Sequence, residues 1–161
     1  RLLNVTILAV GKIKEKFLSD AIDEYSKRLG RYCRLEIIRV KDDPTPDNPT
    51  DKERDIVLKR EGERLIEKIP KGAYIIPLCI EGKQKSSEEF AKIMSDIPSG
   101  GKSEVVFIIG GSMGLWDRIK DMADIKLSFS KMTFPHQLMC VILLEQLYRA
   151  FNISGGGKYH K

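Results

Sequence analysis

Five short apolar runs alternate with helical patterns along this chain, and that alternation leaves it few architectures. Residues 5–10 form an apolar run ending at Gly11, followed by Ile13, Phe17, Leu18, Ala21, Ile22, Tyr25 and Leu29 at helical spacing, with Gly30 at the stop. Residues 35–40 are a second strand candidate. After a loop rich in proline and aspartate, Thr50 and Glu53 form a capping box that opens a charged helix to about residue 69. Residues 73–80 read as a third, buried strand. Ser86 and Glu89 form a second capping box ahead of Phe90, Ile93, Met94 and Ile97 at i, i+3, i+4, i+7. A fourth strand over 105–109 leads through a glycine turn into a short helix over 115–122. Ile125, Leu127 and Phe129 then alternate with Lys126 and Ser128 as a fifth. Strands alternating with helices predict an α/β fold with a largely parallel sheet, whose ligands bind outside the carboxyl ends of the strands. Three loops qualify: those after residues 78–80, after Ile109 and after Phe129.

With 161 residues the chain suits a single domain that buries roughly two-thirds of its unfolded surface. No internal repeat or linker divides it. Cys33, Cys79 and Cys140 are odd in number and far apart, so no disulfide framework or Cys-x-x-Cys motif can be written. Reduced packing cysteines in a cytoplasmic protein are the expectation. The first residues are interrupted at Asn4 and turn basic after Gly11, unlike a secretory leader. The longest apolar run, residues 138–144, is far short of the ~18 residues of a membrane span. Two histidines and scattered cysteines offer no metal-ligand pair, and no Gly-x-Ser-x-Gly elbow supports a serine hydrolase. The net charge is +5; residues 128–161 carry Lys131, Arg149, Lys158 and Lys161 against the single acid Glu145. A solvated basic face and an RNA or phosphate footprint both fit this.

Two segments carry unusual chemistry. Residues 108–114, IIGGSMG, lack the Lys-Ser/Thr of a phosphate-binding P-loop and the spacing of a dinucleotide fingerprint. Their glycines suit a tight turn or a close backbone approach to a ligand. Residues 130–137, SKMTFPHQ, combine the hydroxyls of Ser130 and Thr133 with Lys131, an apolar bed of Met132 and Phe134, and Pro135 at a helix's first turn. An adenine-containing ligand fits such a loop. His136 reads as a capping or packing residue, or as a functional one. The helix that follows, over 135–151, is apolar on more than one face; one face covers the sheet, and a second copy of the chain is the economical cover for the other. The final SGGGKYHK is either a disordered terminus or a basic, aromatic arm.

The runs VTILAVGKIKEKF, VFIIGGSMG, LSFSKMTFPHQLM, LLEQLYRAF and the terminal YHK together resemble the small SPOUT-class methyltransferases that methylate a pseudouridine of 23S ribosomal RNA. The resemblance spans nearly the whole chain. It implies a single-domain parallel-sheet α/β fold with a C-terminal trefoil knot, a homodimer, and S-adenosyl-L-methionine as cofactor without a metal. It implies methyl transfer to N3 of a pseudouridine in the large subunit or whole ribosome. Cofactor contacts fall on Leu78, Gly110, Phe129, Ser130, Lys131, Met132, Thr133 and Phe134. RNA contacts fall on His136, Arg149, Lys158, Tyr159, His160 and Lys161, with His160, Arg149 and Tyr159 catalytic and residues 152–161 forming the RNA-contacting arm. Residues 152–158 are more glycine-rich than the family's pattern. Transfer to a ring imide nitrogen requires alignment and loss of one proton; His160, His136 and solvent are the candidate acceptors, with Arg149 as phosphate or oxyanion partner. A non-catalytic RNA-binding module and a nucleotide-dependent oxidoreductase are the other readings of the basic arm and the glycine turn.

Overall fold

The computed structural model describes residues 2–161. In chain order its elements are β1 (Leu3–Val10), α1 (Lys16–Leu29), β2 (Cys33–Val40), α2 (Asp51–Glu67), β3 (Tyr74–Gln84), α3 (Ser87–Ser99), β4 (Glu104–Ile109), α4 (Asp117–Asp121), β5 (Leu127–Ser128) and α5 (His136–Ser154). All strand pairings are parallel, in the order β2-β1-β4-β3-β5. Both expected capping boxes are formed: the Thr50 and Ser86 hydroxyls accept from the backbone N–H groups of Glu53 and Glu89, whose carboxylates reach back. Each satisfies two donors that a helix start leaves orphaned.

Alternation along the central strands sorts their side chains into two layers. Val5, Ile7 and Ala9 of β1 and Phe107 of β4 face α1, α3 and α5. Leu8, Val10, Val106 and Ile108 face α2 and α4. Central parallel strands covered on both faces have no solvent side, which is why β4 reads as a continuous apolar run.

Several boundaries differ from the sequence expectation. β3 continues past Ile80 to Gln84 because Lys83 and Gln84 pair with Leu127 and Ser128. That pairing needs Gly82, where an added Cβ would lie 2.8 Å from the backbone of Lys126 and Leu127. β5 is correspondingly short. α5 extends three residues beyond Phe151 to Ser154, with Gly155 capping it, so the arm begins at Gly155 rather than Asn152.

α5 supplies the largest single block of the core. Cys140, Leu143, Leu144, Leu147 and Ala150 are essentially fully buried, while Leu138, Val141 and Ile142 on its other side are half-buried. Leu144→Ala should cost about 2–5 kcal/mol of unfolding free energy, the range for a cavity in a close-packed core. Phe17→Ala, at a position 69% exposed, should stay within about 0.5 kcal/mol; denaturant unfolding of the two variants checks the difference.

Candidate functional site

β4, β3 and β5 are neighbours; the loop expected after residues 78–80 is strand instead, because β3 runs to Gln84, and Leu78 sits within it at the irregular pairing with β5. Pro77 pairs with Ile108, and Leu78, the next residue, pairs with Leu127. This brings Leu78, the glycine turn and the residues after Ser128 to one end of the sheet, as the strand-end argument requires. The turn after β4 is closed by the Gly114 N–H donating to the Gly111 carbonyl at 3.0 Å, with Gly114 at φ +86°. Gly110 is needed for the turn itself: a Cβ there would overlap the Gly114 carbonyl. Of the two expectations for these glycines, a tight turn and a close approach to a ligand, the turn alone already requires Gly110 to lack a side chain.

The loop into α5 is pinned from within. Ser128 Oγ donates to the Ser130 carbonyl at 3.0 Å, and Ser130 Oγ accepts the Met132 N–H at 2.9 Å. Lys131, Met132 and Thr133 are exposed, Met132 at 74%, while Phe129, Ser130 and Phe134 are half-buried. The result is a fixed rim with apolar walls and outward backbone groups. Gln137 Nε2 donates to the Lys12 carbonyl at 3.0 Å and ties the start of α5 to the loop after β1. His136 lies against Gly11. Its pKa is lowered by burial and by Arg39, against the opposing Asp42, so its imidazole is neutral near pH 7.

A second cluster forms at the other end of α5. Glu145 accepts from Arg149 Nη2 at 2.6 Å and from the Tyr159 hydroxyl at 2.8 Å. Arg149 Nη1 meets His160 Nδ1 at 3.0 Å and its guanidinium lies over the Tyr159 ring, 4.8 Å from the centroid. His160 Nε2 is 3.2 Å from Glu88 Oε1 of α3. Since guanidinium only donates, Nδ1 is the accepting nitrogen and Nε2–H faces Glu88. Both ring nitrogens are therefore engaged, which favours a fastened positioning group over a free base. Arg149, Tyr159 and His160 are brought together as expected, but the terminus is docked on α5 and α3, contrary to a disordered tail. Lys158 and Lys161 are exposed.

His136 does not join this group. Thirteen residues of helix separate it from Arg149, about 20 Å at 1.5 Å per residue. Sequence reasoning also missed Glu145, the hub. Its i, i+4 spacing to Arg149 and its isolation in a basic segment were the available signals. Among the described residues, no group of three or more His, Cys, Asp or Glu is placed to hold a metal ion, and no helix is long and apolar enough to cross a membrane.

The family described as predicted SPOUT methyltransferases matches residues 3–160. A Clostridioides difficile protein named ribosomal RNA large subunit methyltransferase H is 53% identical over 159 residues, 99% of this chain and all of the relative. A Clostridium kluyveri protein of the same name is 52% identical over the same extent. The fold is similar to a solved structure of a probable methylase family protein from Haemophilus influenzae Rd KW20, with TM-score 0.56, 11% identity, and coverage of 100% of this chain and 72% of that one.

The docked arm has a titration signature. Burial first, then the Glu145 carboxylate, pushes the Tyr159 phenol up to about 12. The raised value favours the neutral phenol, so its contribution to stability holds below about pH 10 and is lost as pH rises through about 12. Alkaline absorbance titration should show a tyrosine ionising near 12 that is missing in Tyr159→Phe and ionises earlier in Glu145→Gln. Its absence from the unaltered protein would mean that the arm is undocked in solution.

Proposed function

The chain belongs to the SPOUT methyltransferase family, and from that premise we propose that it methylates ribosomal RNA with S-adenosyl-L-methionine, at N3 of a pseudouridine in the 23S RNA of the large subunit. The observation that carries this reading is the full-length similarity to relatives named large-subunit methyltransferases, together with Leu78 of β3 and the loops after β4 and β5 lying at one sheet end. The residues there fit the cofactor's chemistry. Leu78, Phe129 and Phe134 offer apolar walls for a flat ring, and the pinned loop from Ser130 to Thr133 offers polar groups around them. When bound, S-adenosylmethionine supplies the methyl group.

The chain's own groups then have two tasks. The loop before α5 holds one reactant in fixed orientation. Arg149, Tyr159 and His160 hold the RNA, with Tyr159 stacking and Arg149, Lys158 and Lys161 attracting phosphate or a developing ring anion. Neutral His136, with solvent, is the better proton acceptor of the two histidines, because the His160 nitrogens are occupied.

These tasks sit about 20 Å apart along one helix, so a site that uses both draws them from two chains. A homodimer packed on the half-buried side of α5, through Leu138, Val141 and Ile142, supports that arrangement. The trefoil knot implied by the resemblance belongs to the same reading: α5 lies between α1 and α3 with its first turn tied to the loop after β1. The protein works where ribosomes are, in the cytoplasm.

Calorimetry with S-adenosylhomocysteine and mass mapping of ribosomal RNA from a deletion strain test the reading. We expect micromolar-range binding, one missing methyl group on a pseudouridine, and its restoration by the purified protein. Deleting residues 159–161 should reduce transfer at least about a hundredfold, from the combined loss of base stacking and charge, with cofactor affinity and dimerisation unchanged. Near-normal transfer by the truncated protein would remove the arm from the site.

A further inference from the structure

β1 and β4 lie side by side at the centre of the sheet, yet their chains leave in opposite directions: β1 through α1 to β2, β4 through α4 to β5 beyond β3. Loops that diverge in this way leave a crevice at the carboxyl ends of the two strands. A single acidic side chain of α2 occupies it. Glu61 is 5% exposed, and its Oε2 accepts the Asp43 backbone N–H at 3.0 Å. Oε1 turns toward the glycine turn, where a Cβ built on Gly111 would lie 3.3 Å away; it accepts no protein hydrogen bond and keeps an opening to solvent, since among the described residues no fully enclosed side-chain oxygen lacks a partner.

An ionised carboxylate offers about four acceptor sites, and Glu61 uses one of them within the protein, leaving Oε1 free to accept from a group that reaches it from outside. The nearby arginines do not relieve Glu61. Arg60 and Arg64 both pair with Asp43. Arg64 and the acids Asp42 and Asp43 are the charged groups around Glu61; β1 and the turn present Val10 and Gly111, which do not titrate. Burial, followed by the two aspartates, raises the Glu61 pKa against the opposing Asp43 N–H and Arg64.

The placement is fixed rather than incidental. On the next residue, Gly62, an added Cβ would be 2.6 Å from the Trp116 ring. α2 therefore lies directly on the exit of the glycine turn, and Glu61 is held facing Gly111.

We propose that Glu61 is a ligand-binding residue whose Oε1 accepts a hydrogen bond from an N–H donor, an ammonium or an imide, of a ligand seated on the glycine turn. This rests on the methyltransferase reading, in which both donor types are present: the ammonium of the cofactor's amino-acid portion and the imide of the target base. Removing a charge-assisted bond of this kind weakens the affected step roughly ten- to a hundredfold.

Glu61→Gln keeps the size and an acceptor for Asp43 N–H but turns an amide toward the ligand. With its melting temperature unchanged, weaker S-adenosylhomocysteine binding by that factor identifies the ammonium. Unchanged binding with kcat/KM for ribosomal RNA lowered by that factor, and with the rise of activity through the raised carboxyl pKa abolished, identifies the imide. Asp43→Asn removes the ion pairs with Arg60 and Arg64 but keeps both the Glu61 carboxylate and the backbone N–H it accepts; losses equal to those of Glu61→Gln would show a structural role and overturn the proposal, as would a Glu61→Gln protein indistinguishable from the unaltered one. If Glu61→Gln does not fold, the carbon-13 resonance of the Glu61 carboxyl in the unaltered protein decides. It should move on adding S-adenosylhomocysteine or an RNA fragment, and failure to move with either overturns the assignment. An unaltered protein that neither binds S-adenosylhomocysteine nor transfers methyl would overturn the functional reading and this one together, whereas normal wild-type activity with an inert Glu61 removes this one alone.

Discussion

The burial of α5 against the sheet is the interaction on which the rest of this structure depends. Cys140, Leu143, Leu144, Leu147 and Ala150 form a continuous apolar face that meets Ile7, Ala9, Phe107 and the inner sides of α1 and α3. Each such side chain contributes roughly 1.5–3 kcal/mol when fully buried, less for alanine. Because the helix is fixed along its length, both its ends are fixed. Its first turn is tied to the loop after β1, and its last turns present Glu145 and Arg149 to the chain terminus.

Much of this was legible in the sequence because the signals are local. The capping boxes at Thr50 and Ser86 depend on residues three apart, and the apolar runs of β1 and β4 depend on burial of both faces of a parallel strand. Of the three expected loops, those after Ile109 and after β5 are loops, while residues 78–80 are part of β3. What was not legible depends on partners distant in sequence. Polar Lys83 and Gln84 do not read as strand until Leu127 and Ser128 arrive to pair with them. The terminus reads as loose glycine-rich chain until Glu145 and Glu88 receive its Tyr159 and His160. Insertion of β4 between β1 and β3 leaves no periodic trace at all.

Glycine illustrates the same division. Composition marks 13 glycines but does not say what each makes room for. Gly110 makes room for the carbonyl of its own turn, Gly62 for the Trp116 ring, and Gly82 for the backbone of the neighbouring strand. In each case the missing side chain permits an approach within the protein. Those approaches, rather than open space for a ligand, set the shape of the sheet's carboxyl end.

The electrostatics of the two ends of α5 differ in kind, and the difference bears on how a reaction can be divided between them. At the arm, Glu145 neutralises Arg149 and holds Tyr159. A cation and an aromatic ring are thereby presented in a fixed stack, suited to holding a polyanion and a base. At the sheet's end lie the pinned backbone and exposed Lys131 of the loop before α5, a neutral His136 with Arg39 near it, and the buried side chain of Glu61. A neutral imidazole in a partly desolvated place suits a proton that must leave a weakly acidic ring. In the reading proposed above, bringing Arg149, Tyr159 and His160 of one chain to the loop end of another is the step that assembles the site, because one helix holds the two groups about 20 Å apart.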